Sequence, residues 1–333
     1  MSAPLLEARD LAREFRIRRP GDWLGRRSSL RAVDGVSLSV AKGTTLGVVG
    51  ESGCGKSTLG RLLLGMLPPT RGEVRFAQER LESEENARWR RQRRRMQMIF
   101  QDPLGALDRR MRIGDQIAEP LAIHAIGEPT ERRRRVDGVL DAVGLGPQLA
   151  ERFPHELSGG QRQRAVIARA LVVEPELIVC DEPVSALDVS IQAQVVNLLA
   201  MLQRRLGIAY VFISHDLKVV HHVSHEIAVM YLGRIVEQGA RARLFARPEH
   251  PYTRALISAV PVPDPQRRRE RILLPGDPPS PLAVPPGCRF HTRCPLATAR
   301  CRTEDPALRM LPDGHRVACH HAGDAVAPLP RAA

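Results

Sequence analysis

Nine consecutive residues, Gly50-Glu51-Ser52-Gly53-Cys54-Gly55-Lys56-Ser57-Thr58, have the types and spacing that grip a polyphosphate. Glycines let successive backbone N–H groups turn inward on an anion, and no side chain blocks the approach. Lys56 is placed to lie along the β- and γ-phosphates, and the Ser57 hydroxyl to ligate Mg²⁺. The surroundings agree. Thr45 to Val49 reads as a short buried strand, and Leu59 to Leu64 as a helix that Pro68-Pro69 stops. Strand, Gly-rich loop, Lys-Ser and helix make a P-loop, whose helix N-terminus adds a positive dipole end. The plainer reading is a turn capping a surface helix, and a P-loop alone leaves many classes of nucleotide hydrolase open.

Three more strand ends carry polar residues. Leu177 to Cys180 leads into Asp181-Glu182, and in a parallel α/β sheet ligands collect at the carboxyl ends of strands, beside the P-loop. Asp181 suits holding Mg²⁺ through its water shell, and Glu182 suits orienting or deprotonating the attacking water. Met96 to Phe100 ends at Gln101, within reach of the metal or that water; Ala209 to Ile213 ends at Ser214-His215-Asp216, where His215 can meet a γ-phosphate. Taken singly, Gln101 and His215 read equally well as residues turning to solvent. Phe15 can stack on an adenine or face a core.

Leu157-Ser158-Gly159-Gly160-Gln161 opens a helix through Leu171, and Ser158 with Gln161 fits a capping box. The two glycines between them leave first-turn N–H groups bare, a second candidate phosphate grip. Capping explains Ser158 and Gln161 but gives no reason for consecutive glycines. Ser185-Ala186-Leu187-Asp188 leads into an amphipathic helix to about Leu206.

The elements that must position these residues follow from periodicity. Leu5 to Phe15 and Val33 to Val40 alternate apolar and polar positions around turns at Pro20-Gly21 and Asp34-Gly35, predicting a small antiparallel sheet ahead of the P-loop. Glu73 to Phe76 is a further strand, followed by a basic helical link. From about 103 to 157 the pattern turns helical, with Val136, Val139, Leu140 and Val143 on one face of a helix begun at Thr130. Ile227 to Tyr231 and Arg234 to Glu237 read as a closing hairpin.

At 333 residues, 43% apolar and 26% charged, the chain suits a main domain plus one smaller unit. Met1-Ser2-Ala3-Pro4 starts no signal peptide, and no apolar run approaches a membrane span, so a cytosolic protein that reaches a membrane through partners is expected. The net charge of +13 gathers at Arg88 to Arg95, Arg132 to Arg135 and Arg267 to Arg269. Aromatics are only 4% of the chain, and Trp89 alone is interleaved with a basic run, which is poor equipment for stacking bases. Solvated faces, acidic partner surfaces or lipid headgroups fit the charge better, and no nucleic-acid partner is expected.

The ordered set of P-loop, Gln101, Leu157 to Gln161, Asp181-Glu182, Ser185 to Asp188 and His215 resembles the ATP-binding cassette family over residues 5 to about 246. Leu-Ser-Gly-Gly-Gln is the specific part. The resemblance implies an α/β fold: a P-loop NTPase (RecA-like) core, an N-terminal antiparallel β subdomain and an α-helical signature subdomain at about 103–165. It also implies ATP and Mg²⁺, Ser57, Gln101 and Asp181 at the metal, Glu182 as catalytic base, His215 on the γ-phosphate and Phe15 as adenine stacker. Two cassettes would pair head to tail, the P-loop of one and Ser158 to Gln161 of the other clamping one ATP, with Ser185 to Asp188 as the D-loop.

His250 to Leu256, Val260-Pro261-Val262-Pro263 and Gly287 to Pro295 resemble the C-terminal extension of oligopeptide/dipeptide permease ATP-binding subunits, giving a tail domain of 247–333 after a 1–246 cassette. Gly53-Cys54-Gly55 and Ile99 to Pro103 resemble the F-type subunit. That type works at the cytoplasmic side of the membrane with a D-type cassette (or a second copy), two permease subunits and an extracytoplasmic solute-binding protein. Related systems move peptides, nickel, opines or glutathione. Leu107-Asp108-Arg109 departs from the usual Leu-Asn-Pro where the cassette meets the permease. Cys288, Cys294, Cys301 and Cys319 are separated by five, six and seventeen intervening residues, matching neither a CxxC zinc pair nor the common ferredoxin run. The resemblance implies a [4Fe-4S] cluster there; zinc or free thiols stay open. The rival from another class is a soluble cassette ATPase acting on ribosomes or DNA, although such proteins usually carry two cassettes or long coiled coils. A third reading makes the tail a redox sensor.

Overall fold

In chain order the strands are β1 (Leu6–Arg18), β2 (Arg27–Val40), β3 (Thr45–Val49), β4 (Arg71–Phe76), β5 (Glu79–Arg80), β6 (Met96–Ile99) and β7 (Leu177–Asp181). There follow β8 (Ala209–Ile213), β9 (Glu226–Tyr231), β10 (Arg234–Ala240), β11 (Arg309–Met310) and β12 (Arg316–Val317). The computed structural model describes residues 3–18, 27–82, 84–260 and 271–323. The expected turn at Pro20-Gly21, the segment Pro261-Val262-Pro263 and the basic run Arg267 to Arg269 lie outside them.

The main sheet has the order β11-β12-β10-β9-β3-β8-β7-β6, and β9, β3, β8, β7 and β6 run parallel. Every residue of β3, β7 and β8 is buried, as a sheet covered on both faces requires. Alternate residues divide between two cores. Leu177, Val179, Val211 and Ile213 pack toward helix Lys56–Leu63 and the N-terminal sheet, whereas Ile178, Cys180, Tyr210 and Phe212 pack toward the helical side. That helical side contains Ile113–Ile123, Pro129–Ala142 and Gly159–Leu171, whose buried Ile117, Leu121, Val136, Leu140 and Ile167 join one cluster. A sheet with this order sends the ends of β3, β6, β7 and β8 to the same edge, where the polar residues gather.

The N-terminal sheet is antiparallel, in the order β2-β1-β4-β5. Its strands are longer than the short pieces expected, because Asp34-Gly35 does not end a strand. Leu11 pairs with Val36 and Arg13 with Val33, so β2 spends one residue more than β1 across this interval. This is a β-bulge, with Gly35 at φ +74°. Turn chemistry read from a dipeptide cannot distinguish a bulge from a reversal.

The tail is built into the same body. β12 pairs antiparallel with β10, Glu237 opposite Val317 and Gln238 opposite Arg316. Tyr252, Ile257 and Phe290 enter the larger core. No helix among the described residues is long and apolar enough to cross a membrane.

Candidate functional site

The turn out of β3 is made by glycines that no other residue replaces. Gly50 and Gly55 have φ of +156° and +106°, and a Cβ on them would stand 2.2 Å from the Met230 carbonyl oxygen and 2.0 Å from that of Ala32. Gly55 is the N-cap of helix Lys56–Leu63, and no side chain caps it, so the first N–H groups stay available to an anion. The buried Lys56 ammonium donates to the carbonyls of Gly50 at 2.8 Å and Glu51 at 2.9 Å, which folds the loop around it.

Ser57 Oγ donates to Asp181 Oδ1 at 2.9 Å, joining the end of β7 to the P-loop. Burial raises the Asp181 pKa above the usual carboxylate range, the negative charge of Glu182 raises it further, and the Ser57 bond works against both. A cation at this point would relieve that penalty, and hydroxyl plus carboxylate is an oxygen donor set suited to Mg²⁺. Glu182 adopts φ +47°, an uncommon backbone for a residue with a side chain. Its Oε2 accepts from Gln101 Nε2 at 3.1 Å and stands 3.2 Å from His215 Nδ1. The ends of β6, β7 and β8 therefore meet on one carboxylate oxygen.

A cavity of about 530 Å³ opens over this edge, lined by Ser52 to Thr58, Gln101, Glu182 and His215. That volume suits a nucleotide-sized ligand. Phe15 is half-buried on its wall and belongs to neither core, with the Arg13 guanidinium 4.8 Å over its ring. Three other segments were not expected on this wall: Leu30 to Ala32, Leu232-Gly233 and, from the tail, Pro281. The Leu232-Gly233 hairpin was legible as a turn, but nothing local says that it faces a ligand.

The pattern of the family described as ABC transporter matches residues 33–185, and that described as oligopeptide/dipeptide transporter, C-terminal region, matches 236–301. Among curated relatives, the oligopeptide transport ATP-binding protein OppF of Escherichia coli is 52% identical, covering 91% of this chain and 92% of the relative. The di/tripeptide transport ATP-binding protein DppF of Pseudomonas aeruginosa is 50% identical, with 96% and 98% covered. The chain belongs to the ABC transporter family. A solved dimeric ATP-binding cassette in a post-hydrolysis state with ADP and Pi is similar in fold (TM-score 0.62, 26% identity), covering 71% of this chain and 98% of that one.

The remaining expected residues of this cassette lie elsewhere. Ser158 caps helix Gly159–Leu171 in the reciprocal box, Gln161 N–H to Ser158 Oγ at 3.3 Å and Ser158 N–H to Gln161 Oε1 at 2.9 Å. Leu157 to Gln161 and Ser185 to Asp188 do not line the cavity. Packing supplies part of the missing reason for the glycines: a Cβ at Gly160 would stand 2.7 Å from Ile191 Cγ2, while Gly159 has room, with Leu187 at 3.5 Å. Arg88, Arg95, Arg133 and Arg135, from two of the basic clusters, are spent on carboxylate partners.

Nothing in the arrangement of the tail thiols supports the iron–sulfur cluster expected there. Among the described residues no group of three or more His, Cys, Asp or Glu could hold a metal ion. Cys301 Sγ contacts Thr298 Oγ1 at 3.4 Å and His321 Nε2 at 3.6 Å. Burial pushes the Cys288 thiol up to about 11 and the Cys294 thiol up to about 12, and raises Cys319 as well. Cys301 and Cys319 are buried, and Cys288 and Cys294 partly so.

Proposed function

We propose that this chain is the ATP-hydrolysing subunit of an importer for peptides of the di- and oligopeptide class, seated on the cytoplasmic side of the membrane. The observation that carries the chemistry is the meeting of Gln101 and His215 on Glu182 Oε2 at the mouth of the P-loop cavity. The cargo class rests on the near full-length likeness to the oligopeptide and di/tripeptide transport proteins and on the tail match.

In this reading the loop N–H groups and Lys56 bind the phosphates, and Phe15 stacks on the base. Ser57, Asp181 and Gln101 would hold Mg²⁺, which supplies neutralisation of charge on the β- and γ-oxygens. Glu182 takes the proton of the attacking water, while Gln101 and His215 fix its carboxylate and His215 reaches the γ-phosphate. Leu157 to Gln161, away from their own cavity, close over the ATP of a partner cassette, with Ser185 to Asp188 lying along that contact. The partner is a D-type homologue or a second copy. Two permease subunits dock where Met98, Phe100, Ala106 and Pro120 line a cleft of about 270 Å³ next to Gln101, and an extracytoplasmic binding protein delivers cargo to them. Residues 1–246 serve as the cassette and 247–333 as its extension. A [4Fe-4S] cluster on Cys288, Cys294, Cys301 and Cys319 is a reading of the sequence alone, and a colourless, iron-free anaerobic preparation discards it.

Uptake of labelled di- and oligopeptides by cells tests the function. Replacement of the chromosomal copy by the Glu182→Gln form should abolish uptake of at least one of these peptides, with permease levels unchanged. Undiminished uptake of all of them refutes the cargo assignment, and a pool of the protein that sediments with ribosomes in a nuclease-sensitive way favours the rival.

A further inference from the structure

The tail binds the P-loop through Glu51. Arg293 grips the Glu51 carboxylate with both arms of its guanidinium, Nη1 to Oε2 at 2.8 Å and Nη2 to Oε1 at 3.1 Å. The Tyr252 hydroxyl accepts the Glu51 N–H at 2.8 Å. The Glu51 carbonyl in turn accepts from the Lys56 ammonium at 2.9 Å. One continuous chain of polar contacts therefore runs from the extension to the lysine that meets the phosphates.

A second arginine of the same short segment holds the other side. Arg289 donates to the Leu232 carbonyl and the Asp34 carboxylate. Those residues adjoin Gly233, whose N–H bonds the Cys54 carbonyl at 2.9 Å and whose carbonyl accepts from Asp34 N–H at 2.9 Å. Between the two arginines, Phe290 packs against Tyr231 and Tyr252, its ring centroid 5.3 and 5.5 Å from theirs. Arg289 and Arg293 are only 7% and 6% exposed. Docking alone does not need them there, because apolar groups of similar volume fasten two surfaces without desolvating a charge. Strand β12 and Phe290 already provide such a fastening.

We propose that Arg293 is a positioning residue for nucleotide binding. Through Glu51 it holds the P-loop in its phosphate-receiving form, so the extension sets the affinity of the motor for MgATP. A loop fixed beforehand loses less freedom when the ligand arrives, and that saving appears as affinity. Glu51 is the relay, Tyr252 its second support. The proposal rests on the cavity being the MgATP site.

Binding of a fluorescent ATP analogue with Mg²⁺ to the full chain, and ATPase rates of the assembled complex, test it. Arg293→Ala should raise Kd and KM roughly tenfold while kcat at saturation stays within about twofold, a pattern that marks lost uniform binding. Arg293→Lys, which keeps the charge and loses the fork, should fall between. In a Glu51→Gln background the effect of Arg293→Ala should largely vanish, since the two act as one unit. Unchanged affinity in Arg293→Ala, or an equal loss in both backgrounds, overturns the proposal. Should Arg293→Ala not fold, Tyr252→Phe removes only the hydroxyl that holds the Glu51 N–H, and parental affinity in both it and Arg293→Lys overturns the proposal equally. Lys56→Ala separates the premises: if it binds MgATP as the parent does, the site itself is misassigned.

Discussion

Replacing Glu182 by Gln removes the capacity to take a proton and leaves the surrounding frame in place. Gln101 at 3.1 Å and His215 at 3.2 Å both meet Oε2, which leaves Oε1 for the attacking water. An amide oxygen in the same position still accepts from Gln101, and the side chain keeps its volume. The Ser57–Asp181 bond and the Lys56 contacts are untouched. Loss of a general base lowers the rate by about 10²–10⁴, or about 3–5 kcal/mol of barrier at about 1.4 kcal/mol per tenfold. The expected variant binds MgATP as the parent does, turns over at that reduced rate, and accumulates as an ATP-bound pair of cassettes. Steady-state phosphate release by the assembled complex gives the rate, fluorescent-nucleotide titration the affinity, and light scattering with MgATP the mass. Parental turnover refutes the assignment of the base. An equal fall in binding and turnover refutes the separation of roles between Glu182 and the loop.

Two further perturbations probe the architecture. Gly160→Ala should cost about 1–3 kcal/mol by overpacking, because the clash falls on Ile191 Cγ2, a branch at Cβ that cannot swing away. Better helix propensity offsets up to about 1 kcal/mol of it. Gly159→Ala should leave the melting temperature nearly unchanged, and equal melting of the two variants contradicts the packing account. His250 is buried, and burial lowers its pKa from 6.5 to about 4 while its ring nitrogen accepts the Tyr252 N–H at 3.1 Å. The unfolded chain binds that proton at the ordinary value, so the stability is fully present above about 6.5 and is lost as pH falls to about 4. The whole difference corresponds to about 3 kcal/mol. Chemical denaturation at pH values above and within that window should show a slope that His250→Asn flattens; identical slopes exclude this source.

Much of the local geometry of the candidate site was legible because it depends on short stretches of chain. A glycine at positive φ, a β-branched run and a cap at a helix start are consequences of the backbone of a few neighbours. Thr45 to Val49 with Lys56, Ser158 with Gln161, and Asp181-Glu182 at a strand end could therefore be read in short windows. The same windows failed at Asp34-Gly35, whose bulge exists only through the register of β2 on β1.

What the sequence by itself determined was which residue types stand at the ends of which strands, and hence the expectation of a polyphosphate, a metal and an activated water among them. The tertiary structure alone decided who touches whom: Gln101 and His215 on one oxygen of Glu182, Ile191 against Gly160, Arg293 and Tyr252 upon Glu51. The reason is physical. Local conformation is fixed by sterics and burial period over a few residues, whereas these approaches follow from the order and register of strands and from how the tail packs. Both are settled by the whole core at once, and no stretch of sequence carries them alone.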